Sequence, residues 1–108
     1  MIRQLRTYEL FAATRAAFHE RFRDHAARIM GTHGFRIVAA WESTTDGTVE
    51  FSYVLAWPDE ATMGDRWAAF MADEEWARIK QETGARHGAM VGAIQDRVLV
   101  PVGYLPEW

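Results

Sequence analysis

Arg6 and Tyr8 stand two residues apart in the opening segment Ile2-Arg3-Gln4-Leu5-Arg6-Thr7-Tyr8-Glu9-Leu10. Side chains of an extended strand alternate between faces, so this spacing sets a guanidinium beside a phenol, on one face with Ile2 and Gln4. Such a pair can bind an anionic or enolic oxygen. A buried arginine can equally be satisfied by a structural ion pair, for which Glu42 and Glu50 are the candidate partners. Glu50 would also serve as a general base if burial raised its pKa. Tyr53 is a further phenol able to move a proton. His25 falls in an apolar helical stripe, where a neutral imidazole is either a proton carrier or a satisfied core residue. Arg6, Tyr8, His25 and Tyr53 are therefore the candidate catalytic residues.

The aromatics Trp41, Tyr53, Trp57, Trp67, Phe70 and Trp76 read first as core. Together with methionine they would also suit a cavity for a flat, apolar or polycyclic ligand. Trp41, Glu50, Trp67, Phe70 and Trp76 are the expected substrate contacts. No glycine-rich phosphate loop, Ser-His-Asp arrangement or nucleotide fingerprint accompanies them, so chemistry without a cofactor is expected. His19 and His33 lack a partner at zinc-ligand spacing, and no metal is expected. A haem-binding reading would call on His25 or His87 as ligand.

The elements that must position these residues follow from the periodicity. Ile2 to Leu10 reads as a strand. From Thr14 to Thr32 the residues Phe18, Phe22, His25, Ala26, Ile29 and Met30 form the apolar stripe of a helix, with Arg15, Glu20, Arg21, Arg23, Asp24 and Arg28 on its other face. His33-Gly34 closes it. Phe35 to Thr44 and Val49 to Trp57 are two extended runs joined through Asp46-Gly47, a hairpin signal. Both runs are apolar on both faces, which predicts a sheet covered on both sides. Asp59 caps a second helix carrying Met63, Trp67, Phe70 and Met71. Asp73 caps a short third helix with Trp76, Ile79 and Lys80, which Gly84 is expected to stop. Ala85 to Gly92 has no clear period, and Ile94 to Val102 is the final strand, with Pro101 near its end. The tail Gly103 to Trp108 is apolar enough to be expected to dock.

The chain of 108 residues is read as one domain over 1–108, with 49% hydrophobic and 13% aromatic residues. That is more bulky apolar surface than a small monomer readily buries, so an association surface is expected. Twelve basic and 15 acidic residues give a net charge of −3, without the basic stripe of a nucleic-acid binder. The absence of cysteine excludes disulfides and thiolate chemistry. There is no charged leader with an apolar core, and no run of about eighteen apolar residues, so a cytoplasmic protein with no membrane span is expected.

Strand, helix, strand, strand, helix, strand is the ferredoxin-like α+β order, an antiparallel sheet with its helices on one face. The simplest cover for the other face is a second copy, which makes a homodimeric α/β barrel. The residues Leu5-Arg6-Thr7-Tyr8, His25, His33-Gly34, Trp41, Trp57-Pro58-Asp59, Asp73-Glu74-Glu75-Trp76 and Arg97-Val98-Leu99, in that order, resemble the NIPSNAP family along nearly the whole chain. The resemblance implies the same dimeric barrel. Within that pattern Tyr53 stands where a histidine is common and Leu55 where a tryptophan is. The surrounding superfamily includes cofactor-free monooxygenases, isomerases, cyclases, haem enzymes and plain binding proteins. The preferred expectation is a homodimer acting, without cofactor, on a small aromatic or polyketide-like molecule. A non-catalytic binding or interaction module is the alternative.

Overall fold

A computed structural model describes residues 1–106. Its four strands are β1 (Ile2–Leu10), β2 (Arg36–Thr45), β3 (Thr48–Trp57) and β4 (Val91–Leu99), in the spatial order β2-β3-β1-β4. All neighbours are antiparallel. This is the ferredoxin-like arrangement. Between β1 and β2 runs a helical rod made of α1 (Arg15–Arg21), a π turn (Phe22–Ala26) and α2 (Ala27–Thr32). Between β3 and β4 lie α3 (Glu60–Met71) and α4 (Glu74–His87).

The local causes are ordinary ones. Asp46 and Gly47 take positive φ values of 52° and 81°, as a two-residue hairpin turn requires. Asp59 and Asp73 accept hydrogen bonds from the backbone N–H groups of Thr62 and Trp76, capping α3 and α4. Gly84 does not stop α4, contrary to the sequence expectation. A glycine inside a helix costs only about 0.5–1 kcal/mol relative to alanine, and the helix continues to His87. The left-handed residue that ends it is Gly88, with φ 77°. His87 is thus a helical residue, and β4 begins at Val91 rather than Ile94 and ends at Leu99 rather than Val102.

On the helix-facing side of β3, Phe51, Tyr53, Leu55 and Trp57 pack against Phe18, Ala26, Ile29, Phe70 and Trp76. Arg6 lies on this side too, opposite Tyr53 of β3 and Asp96 of β4. The other side of the sheet carries Leu5, Trp41, Val54, Ala56 and Leu99, interleaved with Arg3, Glu50 and Arg97, and no helix covers it. Trp41 is 45% exposed there and Leu99 41%. The tail does not dock on its own chain where the structure describes it, since Tyr104 and Leu105 are exposed. Glu107 and Trp108, the remainder of that expectation, lie outside the described residues.

Candidate functional site

Between the helices and the sheet lies a cavity of about 240 Å³. Its walls are the Tyr8 ring of the central strand β1, Phe18, Phe22 and Met30 of the first rod, and Phe70, Met71 and Trp76 of α3, its end and α4. Val91 and Ile94 of β4 close one side, and Arg21 and Lys80 supply its charge. No acidic side chain lines it among the described residues.

Behind Tyr8 lies a continuous polar chain. The Tyr8 and Tyr53 hydroxyls are 2.6 Å apart, and Arg6 Nη2 donates to the Tyr8 oxygen at 3.2 Å. Arg6 also stacks over the Trp67 ring, 4.5 Å from its centroid, and pairs with Asp96 at 3.4 Å. Asp96 accepts a hydrogen bond from Gln4 Nε2 at 2.9 Å. Gln4 Oε1 in turn accepts the indole N–H groups of Trp57 and Trp67, at 2.9 and 2.7 Å. These bonds hold the polar groups under the helices in place, with Arg6 Nε left as a buried donor without a partner.

Burial disfavours the Arg6 charge, but the Tyr8 and Tyr53 oxygens more than offset this and hold the guanidinium above its ordinary range. Burial, with Tyr8 alongside, pushes the fully enclosed Tyr53 hydroxyl well above the usual phenol value. Tyr53 consequently keeps its proton, and its hydroxyl meets that of Tyr8, where either oxygen can donate. Arg6 donates to the Tyr8 oxygen, and when Tyr53 donates to it as well the Tyr8 proton is free to serve a guest in the cavity. Cooperative hydrogen bonding strengthens it as a donor.

The structure separates the residues singled out in the sequence. Tyr8, Phe70 and Trp76 line the cavity, and Arg6, Tyr53 and Trp67 form the layer behind it. His25 does not face the sheet, which corrects the helical-stripe expectation. The π turn inserts one extra residue, so that Ala26 rather than His25 continues the buried stripe. His25 instead lines a second depression of about 230 Å³ between the rod and α4, with Glu20, Glu82 and His87. Both histidines of the haem reading therefore stand outside the main cavity. Trp41 and Glu50 are on the opposite face of the sheet, because each sits in register with residues whose side chains alternate away from the helices. Glu42 is not the partner of Arg6 either. It pairs with Arg15 and, at 2.5 Å, with His19, pinning α1 to the edge strand.

Two residues of the cavity escaped the sequence reading. Arg21 stood with the solvated face of the helix, yet the π turn that begins after it leaves its side chain half-buried against the cavity. Lys80 follows Trp76 by four residues, which places both on one helical face, and it is the chain's only lysine. That spacing was the available signal. His33 pairs with Asp73 at 2.8 Å, and no cluster of three or more metal-ligating side chains occurs among the described residues. Nor is any described helix long and apolar enough to cross a membrane.

The chain matches the NIPSNAP family over residues 3–106. Among solved structures, a NIPSNAP family protein of unknown function from Agrobacterium tumefaciens superposes with a TM-score of 0.81 at 20% identity, covering 98% of this chain and 92% of that one. An uncharacterised NIPSNAP-like domain protein from Burkholderia xenovorans gives 0.80 at 17% identity, over 98% and 89% of the two chains. A more distant likeness is a monooxygenase from the gene ActVA-Orf6 of Streptomyces coelicolor, in complex with nanaomycin D, at 0.59 and 17% identity over 99% and 92%. These likenesses establish the fold. No curated protein sequence matches the chain.

Proposed function

The chain belongs to the NIPSNAP family, and from that premise we propose that it is a homodimeric barrel that binds one small aromatic molecule in the cavity of each protomer and acts on it without a cofactor. The observation that carries this reading is Tyr8, a lining residue of an apolar cavity whose hydroxyl is bonded to Arg6 and Tyr53. Isomerases, cyclases and cofactor-free oxygenases share one early requirement, stabilisation of the negative charge that develops on a substrate oxygen. A fixed donor in a water-poor site meets it. Tyr8 is the group that touches the substrate, and Arg6 and Tyr53 position and polarise it. The monooxygenase from Streptomyces coelicolor, similar in fold, holds nanaomycin D, which is consistent with an aromatic guest here.

Size narrows the substrate. A dry apolar cavity of about 150 Å³ holds benzene, so about 240 Å³ suits one or two fused rings. The second protomer would cover the bare sheet face, where Leu5, Val54, Ala56, Trp41 and Leu99 lie. Phe70 and Trp76 grip the ring of the substrate, with Trp67 holding Arg6 behind it.

The bicyclic ketone 2-tetralone tests the proposal. Its binding is followed by calorimetry, and exchange of its α-protons in D2O by NMR. The wild type is expected to bind it and accelerate exchange, with solvent taking the α-proton while Tyr8 stabilises the enolate oxygen, whereas Tyr8→Phe should bind within a few-fold of wild type and lose about 10²–10³ in exchange rate. Equal exchange in the two proteins rules out the role of Tyr8. Binding without any acceleration supports a non-catalytic carrier, and no binding removes the cavity from consideration.

A further inference from the structure

Among the described residues five arginines meet a carboxylate: Arg6, Arg15, Arg23, Arg28 and Arg78. Arg21 and Lys80, the two cations on the cavity, meet none among the described residues. Arg21 stands between the two depressions: its Nη1 donates to the neutral Thr83 hydroxyl at 3.2 Å, on the side of the second depression, whose Glu20 and Glu82 form no ion pair with it. Its guanidinium carbon lies 5.4 Å from the centroid of the Trp76 ring, and Lys80 Nζ lies 5.8 Å from the same centroid. One buried indole thus holds both charges at the edge of one apolar cavity. Such placement is made in advance of any guest, which lowers the ordering cost of binding one.

The arrangement runs against the composition. The chain has 15 acidic residues and a net charge of −3, yet among the described residues no carboxylate lines the cavity. Burial also pulls the Arg21 guanidinium below its ordinary value, so the folded protein keeps a charge there at some cost. A half-buried arginine without an ion-pair partner, and an ammonium without one at the same indole, are satisfied by an anion brought from outside.

Resting on the cavity reading above, the geometry points to an arene carboxylate of one or two rings as the ligand class, its ring against Phe70 and Trp76 and its carboxylate bound by Arg21 and Lys80. Tyr8, contributed by the sheet, then meets the ring substituent on which the chemistry falls. The carboxylate fixes which way round the ring lies. Two cations from two different helices accept one monoanion, whereas neutral arenes gain nothing from them.

Calorimetry with 2-naphthoate and with 2-naphthamide, which share a ring system and differ in charge, tests the inference. The wild type is expected to favour the carboxylate at least about tenfold, with a preference that shrinks as salt is raised. Arg21→Met and Lys80→Met should each reduce the preference while leaving naphthamide affinity within a few-fold of wild type. Because Lys80 is the chain's only lysine, acetylation of the folded wild-type protein gives a second route to the same loss without a change of sequence, and bound naphthoate should slow that acetylation. If both compounds bind equally, the cavity reading stands and the carboxylate inference fails. If neither binds, both fail.

Discussion

At the scale of single residues, charge in this protein is sorted by purpose. Glu42 collects Arg15 and His19 at the margin of the sheet, and hydrogen bonds from Arg15 first, then His19, draw its carboxyl from an ordinary 4.5 to about 2. A carboxylate whose folded-state pKa is depressed stabilises the fold fully above its unfolded value, and this stabilisation is lost as pH falls from 4.5 toward about 2. Glu42→Gln should therefore unfold more readily than wild type at neutral pH, with the gap closing across that acid window in denaturant titrations. Much of this scale was not legible in the chain. Arg6 needed a partner, and the sequence said so, but alternation alone could not show that Asp96 of the last strand would provide it. The nearest acidic residues along the hairpin were Glu42 and Glu50, and register assigns one to the first helix and the other to the bare face.

At the scale of elements, the strands and their turns were readable because their signals are local. Asp46-Gly47 announces its hairpin by the positive φ it must adopt, and Asp59 and Asp73 announce helix starts by the N–H groups they accept. The misreadings arose where two states share one signal. Gly84 and Gly88 both look like terminators, yet only Gly88 carries a backbone that other residues avoid, with φ 77° and ψ −157°. Gly88→Ala should cost about 1–3 kcal/mol in equilibrium unfolding. The strain is conformational, since nothing lies within 4 Å of the added methyl group. The π turn is the other case. Phe18, Phe22 and Ala26 follow one another at intervals of four, which an uninterrupted α-helix also satisfies, so nothing in the spacing reveals the extra residue that displaces His25.

At the scale of the whole molecule, the protein is a slab of 46 × 37 × 19 Å, one layer of sheet and one of helices. Its broad uncovered sheet face is where a second copy would bury the about 800 Å² per partner of a standard stable interface. Light scattering is expected to give twice the chain mass of 12.4 kDa, and Trp41→Glu, which sets a charge among Leu5, Val54 and Leu99, should shift the protein toward monomer at micromolar concentration. A Trp41→Glu variant that remains fully dimeric would place the interface elsewhere. The sheet order β2-β3-β1-β4 also bears on how the protein matures. Tyr8 is made long before its facing neighbour Ile94, so the cavity has no wall on that side until β4 has joined β1. Pairing over so long a stretch of chain is slow to close. A chain that lacks β4 can build the hairpin and the first helical rod and still have nowhere to hold the proposed guest, so any capacity to bind would arrive only once β4 is made and paired.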